Sequence, residues 1–102
     1  MKKASKKLVI FYKAKVLEPI WKENNRQVSN GLNPLGWGEV TKEQTDTLLK
    51  MNALIDMSCI EMSMSELQEL IVWSFQVGDE LGLELDYPQD IELDSQLGDY
   101  FK

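Results

Sequence analysis

The stretch Ser63-Met64-Ser65-Glu66 and the residues that follow it constrain the fold more than any other part of the chain. A serine followed three positions later by a glutamate reads as a capping box, in which each side chain satisfies a free amide at a helix start. Beyond it, Leu67, Leu70, Ile71, Ser74, Phe75, Val77, Gly78 and Leu81 share one side at helical spacing. Gln68, Glu69, Gln76, Asp79 and Glu80 take the other. The pattern predicts an amphipathic helix closed by Gly82 in a left-handed turn. Gly78, on the apolar side, predicts close approach by a neighbouring backbone. Val72 and Trp73 fall off that side, and Trp73 is in phase with Glu66, Glu69 and Glu80.

A helix with one apolar side must cover it with another element. Thr41-Lys42-Glu43-Gln44 repeats the capping signature, and Leu48, Met51, Ile55, Cys59 and Met62 then form a stripe. Leu49, Leu54, Met57 and Ile60 lie off it. This second helix therefore contacts neighbours on two sides or ends near Met57. Upstream, Ser5 to Asn24 predicts a first helix, with Val9, Ile10, Tyr12, Val16, Leu17, Ile20 and Trp21 on an apolar arc and Lys15 and Glu18 opposite. Pro19 removes a backbone hydrogen bond and predicts a kink or break near Leu17–Glu18. Alternation in "KLVIFYKAKV" keeps a strand as the competing reading of that segment.

Between the first two helices, "NNRQVSNGLNPLGWGEV" is rich in turn-forming residues and longer than the usual connection. It sets Trp37 between Gly36 and Gly38. The glycines allow unusual backbone angles, and the indole then either plugs the helices from below, the preferred reading, or faces a partner. The tail "LELDYPQDIELDSQLGDYFK" alternates apolar and acidic residues around Pro88 and predicts an irregular or short-β segment, with extended or irregular backbone favoured because aspartate is a poor strand residue. The expected fold is mainly α, a small single domain of about three helices. Its blocks are a basic first helix (1–24), a Gly/Asn-rich loop (25–40), a two-helix core (41–82) and an acidic C-terminal segment (83–102).

What the chain lacks narrows its chemistry. None of its 102 residues is histidine, and it has one cysteine, Cys59. Histidine-based general bases, His–nucleophile pairs and Cys-rich zinc sites are thereby excluded. No glycine pattern for cradling phosphate occurs, and "GLNPLGWG" lacks a Walker lysine. The carboxylates Glu80, Glu84, Asp86, Asp90, Glu92 and Asp94 do not follow calcium-loop spacing, so a solvated acidic surface is the favoured reading over a metal site. Cys59 in an apolar stripe reads as a small buried hydrophobe. The expectation is a protein that is not an enzyme, with no cofactor and no metal. No membrane span is expected, and a cytoplasmic location is (the host cytoplasm for a phage-encoded protein).

Charge points to binding. The net charge of −6 divides into +6 over residues 1–26 and −12 over the remainder. Acidic residues interleaved with aromatic and aliphatic ones suit a basic cleft on another protein, where carboxylates stand in for phosphates. The residues expected to meet that partner are Trp37, Trp73, Glu84, Asp86, Tyr87, Asp90, Glu92, Asp94, Tyr100 and Phe101. The leading expectation is an inhibitor or immunity-type protein, including a phage-encoded one, that binds a nucleic-acid-processing enzyme. Two other readings stand beside it. One is an accessory nucleic-acid-binding protein using Lys6, Lys7, Lys13 and Lys15 on the basic first helix. The other is a small structural subunit that forms homo-oligomers through its off-stripe apolar residues.

Overall fold

Ser5 starts the chain's first helical rod by accepting a hydrogen bond from the Leu8 amide, 3.1 Å away. The computed structural model describes residues 5–85, apart from the side chain of Ile60. The rod runs through α1 (Lys6–Phe11), a π-helical stretch (Tyr12–Leu17) and α2 (Glu18–Ser29). After a loop come α3 (Lys42–Asn52), a short 3₁₀ turn (Cys59–Glu61) and α4 (Met64–Glu80). The architecture is mainly helical, and no strand occurs among the described residues. The strand reading of "KLVIFYKAKV" is thereby corrected. No helix among the described residues is long and apolar enough to cross a membrane.

Pro19 neither breaks the rod nor ends it. The Glu18 amide donates to the Lys13 carbonyl, five residues back, so the turn upstream of the proline is wider than an α turn. That width has a second consequence. Leu8, Tyr12, Val16, Ile20 and Asn24 recur every fourth residue, and all are fully buried. In an unbroken α-helix such a stripe drifts about 40° per step. The π stretch holds more residues per turn and takes back part of the drift, keeping the stripe on the core. Ile10, expected on the apolar arc, is instead 65% exposed. The rod also runs past Asn24 to Ser29, because Ser29 and Asn30 hydrogen-bond back to carbonyls of the last turn.

Both capping boxes form. In α3 the Gln44 amide donates to Thr41 Oγ1 while the Thr41 amide donates to Gln44 Oε1. In α4, Ser63 and Glu66 do the same. The expected stripe on α3 is off by one residue. Leu49 is buried and Met51 is 63% exposed. The register is set by Tyr12, whose hydroxyl donates to Asp46 at 2.7 Å and turns the Thr45–Leu49 face inward. The helix ends at Asn52, short of Met57, and Cys59 and Met62 reach the core from the connection beyond it.

α4 packs against the π stretch and α3, and carries Leu67, Leu70, Ile71 and Val77 into the core. Gln68, expected on the polar side, is fully buried with both side-chain polar atoms unpartnered. Gly78 does mark a close approach, but to a side chain: a Cβ placed there lies 2.7 Å from Leu85 Cδ1. Gly82 closes the helix at φ 81° as expected.

Candidate functional site

The loop between α2 and α3 is held by side chains of α2. Asn24 Nδ2 donates to the Gly38 carbonyl at 3.0 Å. Asn25 grips Val40 from both sides, donating to its carbonyl at 2.7 Å and accepting from its amide at 3.1 Å. The Trp21 indole donates to the same carbonyl at 2.9 Å. Within the loop, the Gly38 amide donates to Asn33 Oδ1 at 3.0 Å. Gly36 and Gly38 both take left-handed angles, φ 74° and 68°. An L-residue is strained there. The two glycines therefore turn the chain on either side of Trp37 and lay its indole, half-buried, against the core.

Trp37 and Trp73 meet at one cleft of about 430 Å³. Leu35 and Trp37 come from the loop, Leu48 and Met51 from α3, and Trp73 and Val77 from α4. The polar part of its lining is Asn52, Gln76 and Glu80. Trp73, whose off-stripe position fits either an exposed indole or a helix buried on two sides, is 40% exposed. Trp37 is neither a sealed plug nor a free flag, since it packs on the core and lines the cleft. Gln27 of α2 ties the far side down, donating to the Leu81 carbonyl at 2.8 Å, next to Glu80. Amide side chains of one helix thus fix segments on both sides of the cleft. Sequence reasoning read Asn24 and Asn25 as turn formers and missed this role; their spacing beside Trp21 and Gln27 on one helix was the available signal.

A second cleft, about 480 Å³, lies between the π stretch and α3. Lys13, Asp46, Lys50 and Cys59 line it. Lys50 pairs with Asp46 at 2.6 Å. Burial, with the Asp46 carboxylate beside it, pushes the Tyr12 hydroxyl far above its ordinary range and keeps it protonated. Burial likewise raises the Cys59 thiol, against the pull of Lys50. A thiol so placed is a poor nucleophile at neutral pH. An adjoining groove exposes Met51 and Leu54, the latter 94% open to solvent.

The remaining sequence-predicted residues scatter. Lys6, Lys7, Lys13 and Lys15 are all exposed and make no ion pair among the described residues. Glu84 is exposed. Asp86, Tyr87, Asp90, Glu92, Asp94, Tyr100 and Phe101 lie outside the described residues. Among the described residues no group of three or more His, Cys, Asp or Glu gathers as metal ligands would. Comparison with protein-family models, curated proteins and solved structures finds no match to this chain.

Proposed function

We propose that the protein is a non-enzymatic binding module of the inhibitor or immunity type, directed at the basic surface of a nucleic-acid-processing enzyme. The observation that carries this reading is the shared cleft of Trp37 and Trp73 on a chain of net charge −6. Tryptophan concentrates binding energy at protein interfaces. A cleft already fixed by hydrogen bonds loses little freedom when a partner enters it. Negative potential steers such a chain toward a basic surface.

The test is retention of a partner on the immobilised protein. Trp73→Ala is expected to weaken binding about 30-fold, the equivalent of about 2 kcal/mol for an interface anchor. Recovery of nucleic acid alone, or equal retention by the Trp37→Ala/Trp73→Ala double variant, overturns the reading. The second reading, nucleic-acid binding, draws on the four exposed lysines of the first rod. It requires salt-sensitive binding of a short duplex that disappears when Lys6, Lys7, Lys13 and Lys15 are changed to Glu.

A further inference from the structure

Glu80 is the one charged side chain among the described residues lining the Trp37–Trp73 cleft. Its neighbours there strengthen the negative field. Asn52 is the last residue of α3 and Glu80 the last of α4, so two helix C-termini converge on the same space. A helix C-terminus carries the negative end of the peptide dipoles and favours a cation within about one turn. α4 has no basic residue in its last turn to cancel that field, and Lys50 in the last turn of α3 is paired with Asp46 and does not line the cleft. The two indoles that line the cleft add a third attraction, because a ring's negative quadrupole draws a cation placed over its face.

We infer that this cleft is a receptor for one arginine side chain presented by a basic partner protein. The inference rests on the binding-module reading and names the chemistry of its partner. A guanidinium fits the lining better than an ammonium does. It is planar and stacks on an indole, and its forked N–H groups match the two oxygens of Glu80. The side-chain carbonyls of Asn52 and Gln76 accept its remaining donors. A volume near 430 Å³ admits the side chain together with adjoining backbone. Trp37 is held in place beforehand by the bond that Asn24 donates to the Gly38 carbonyl and the bond that the Gly38 amide donates to Asn33, so the receptor exists before the arginine arrives.

The experiment follows the indole N–H signals of the intact protein by NMR during titration with Nα-acetyl-arginine-N-methylamide. The neutral isostere Nα-acetyl-citrulline-N-methylamide is the control. Trp37 and Trp73 are expected to shift with arginine at least about fivefold more strongly than with citrulline. Trp21, whose indole is hydrogen-bonded to Val40, is expected to stay still. Glu80→Gln, an exposed isosteric change, is expected to reduce the apparent affinity for arginine about fivefold or more while leaving the amide spectrum folded. Equal response to citrulline, no response at Trp37 and Trp73, or an unchanged affinity in Glu80→Gln each overturns the arginine assignment. The two readings fail separately. A partner retained equally by wild type and Glu80→Gln but lost by Trp73→Ala removes the arginine and keeps the module; a partner retained by the double tryptophan variant removes both.

Discussion

Residues 30–41, between α2 and α3, and residues 53–63, between α3 and α4, are connections of similar length ordered by different forces. The first is held by polar pins from α2, with Asn24, Asn25 and Trp21 bonding the backbone of Gly38 and Val40. The second is held by apolar anchors, since Cys59 is nearly buried and Met62 fully so. Hydrogen bonds are directional, so they fix where a chain lies and how it faces. Hydrophobic burial is non-directional and scales with area, so it holds a chain down without setting its orientation as tightly. The connection that must aim an indole is the one built with pins. The connection that only closes the core also carries an exposed Leu54 in a left-handed conformation, φ 59°.

Asn24→Ala is the strongest way to break that contrast. Asn24 is fully buried, and its amide feeds both Gly38 and Asn25. Deleting it leaves a loop carbonyl without its donor, at a cost of about 2 kcal/mol. The loss is held to that size because Asn24 Oδ1 has no partner of its own to forfeit. Urea denaturation reads the stability, and hydrogen exchange at Gly38 and Val40 is expected to rise more than at α4. A loss below about 0.5 kcal/mol, within the range of ordinary surface changes, would mean that Asn25 and Trp21 hold the loop alone.

The residues behind this contrast were unequally legible in the sequence. The capping boxes at Thr41 and Ser63 and the closure at Gly82 were readable because each depends on a few neighbouring residues. The register of α3 was not. It is decided by Tyr12 reaching Asp46 across 34 positions, and a local apolar stripe through Leu48 and Met51 outvotes it on paper. Gln68 was misplaced for a related reason: its polarity says surface, while α4's packing on two sides makes it interior. Of the site, Trp37 and Trp73 were singled out separately. Their meeting depends on the pins from α2, and an asparagine that clamps a distant loop has the same local signature as one that starts a turn. The direction of the chain after α3 was hidden as well, because nothing in "NALI" announces a left-handed leucine.

Leu54→Gly sharpens the comparison at the second connection. Leu54 and Ile55 close α3 by donating to the carbonyls of Met51 and Lys50 at 3.1 and 2.9 Å. Gly82 and Leu83 close α4 in the same pattern, donating to Asp79 and Gly78. The two closures differ in who occupies the left-handed position. A non-glycine residue pays roughly 1–2 kcal/mol there, and glycine returns about 0.5–1 kcal/mol through its freer unfolded chain. The substitution is therefore expected to stabilise the protein by about 0.5–1 kcal/mol, seen as a higher denaturation midpoint. A lower midpoint would mean that the side chain contributes packing despite its exposure.

The smallest effect tests whether α2 pins the end of α4 as it pins the loop. Gln27 Nε2 donates to both Leu81 O and Glu23 Oε2, at 2.8 and 2.7 Å. Hydrogen bonds from Arg26 and Gln27 lower the Glu23 carboxyl to about 2. A folded-state value below the unfolded one means that the bonds stabilise the protein at neutral pH, and that this contribution fades as pH falls from the usual carboxylate range toward 2. The loss is slight, because the Arg26 side chain is 63% exposed and water and salt screen the pair. Carboxyl NMR is expected to place the Glu23 midpoint near 2, moving to the ordinary range when Arg26→Ala and Gln27→Ala are combined. If Gln27 is a true pin, the Leu81–Leu83 amides follow the same acid titration while Gly38 and Val40, held by groups that do not ionise, stay unchanged. Equal movement of both sets would mean that the two walls of the cleft are tethered as one unit, and that the polar pins of α2 act together.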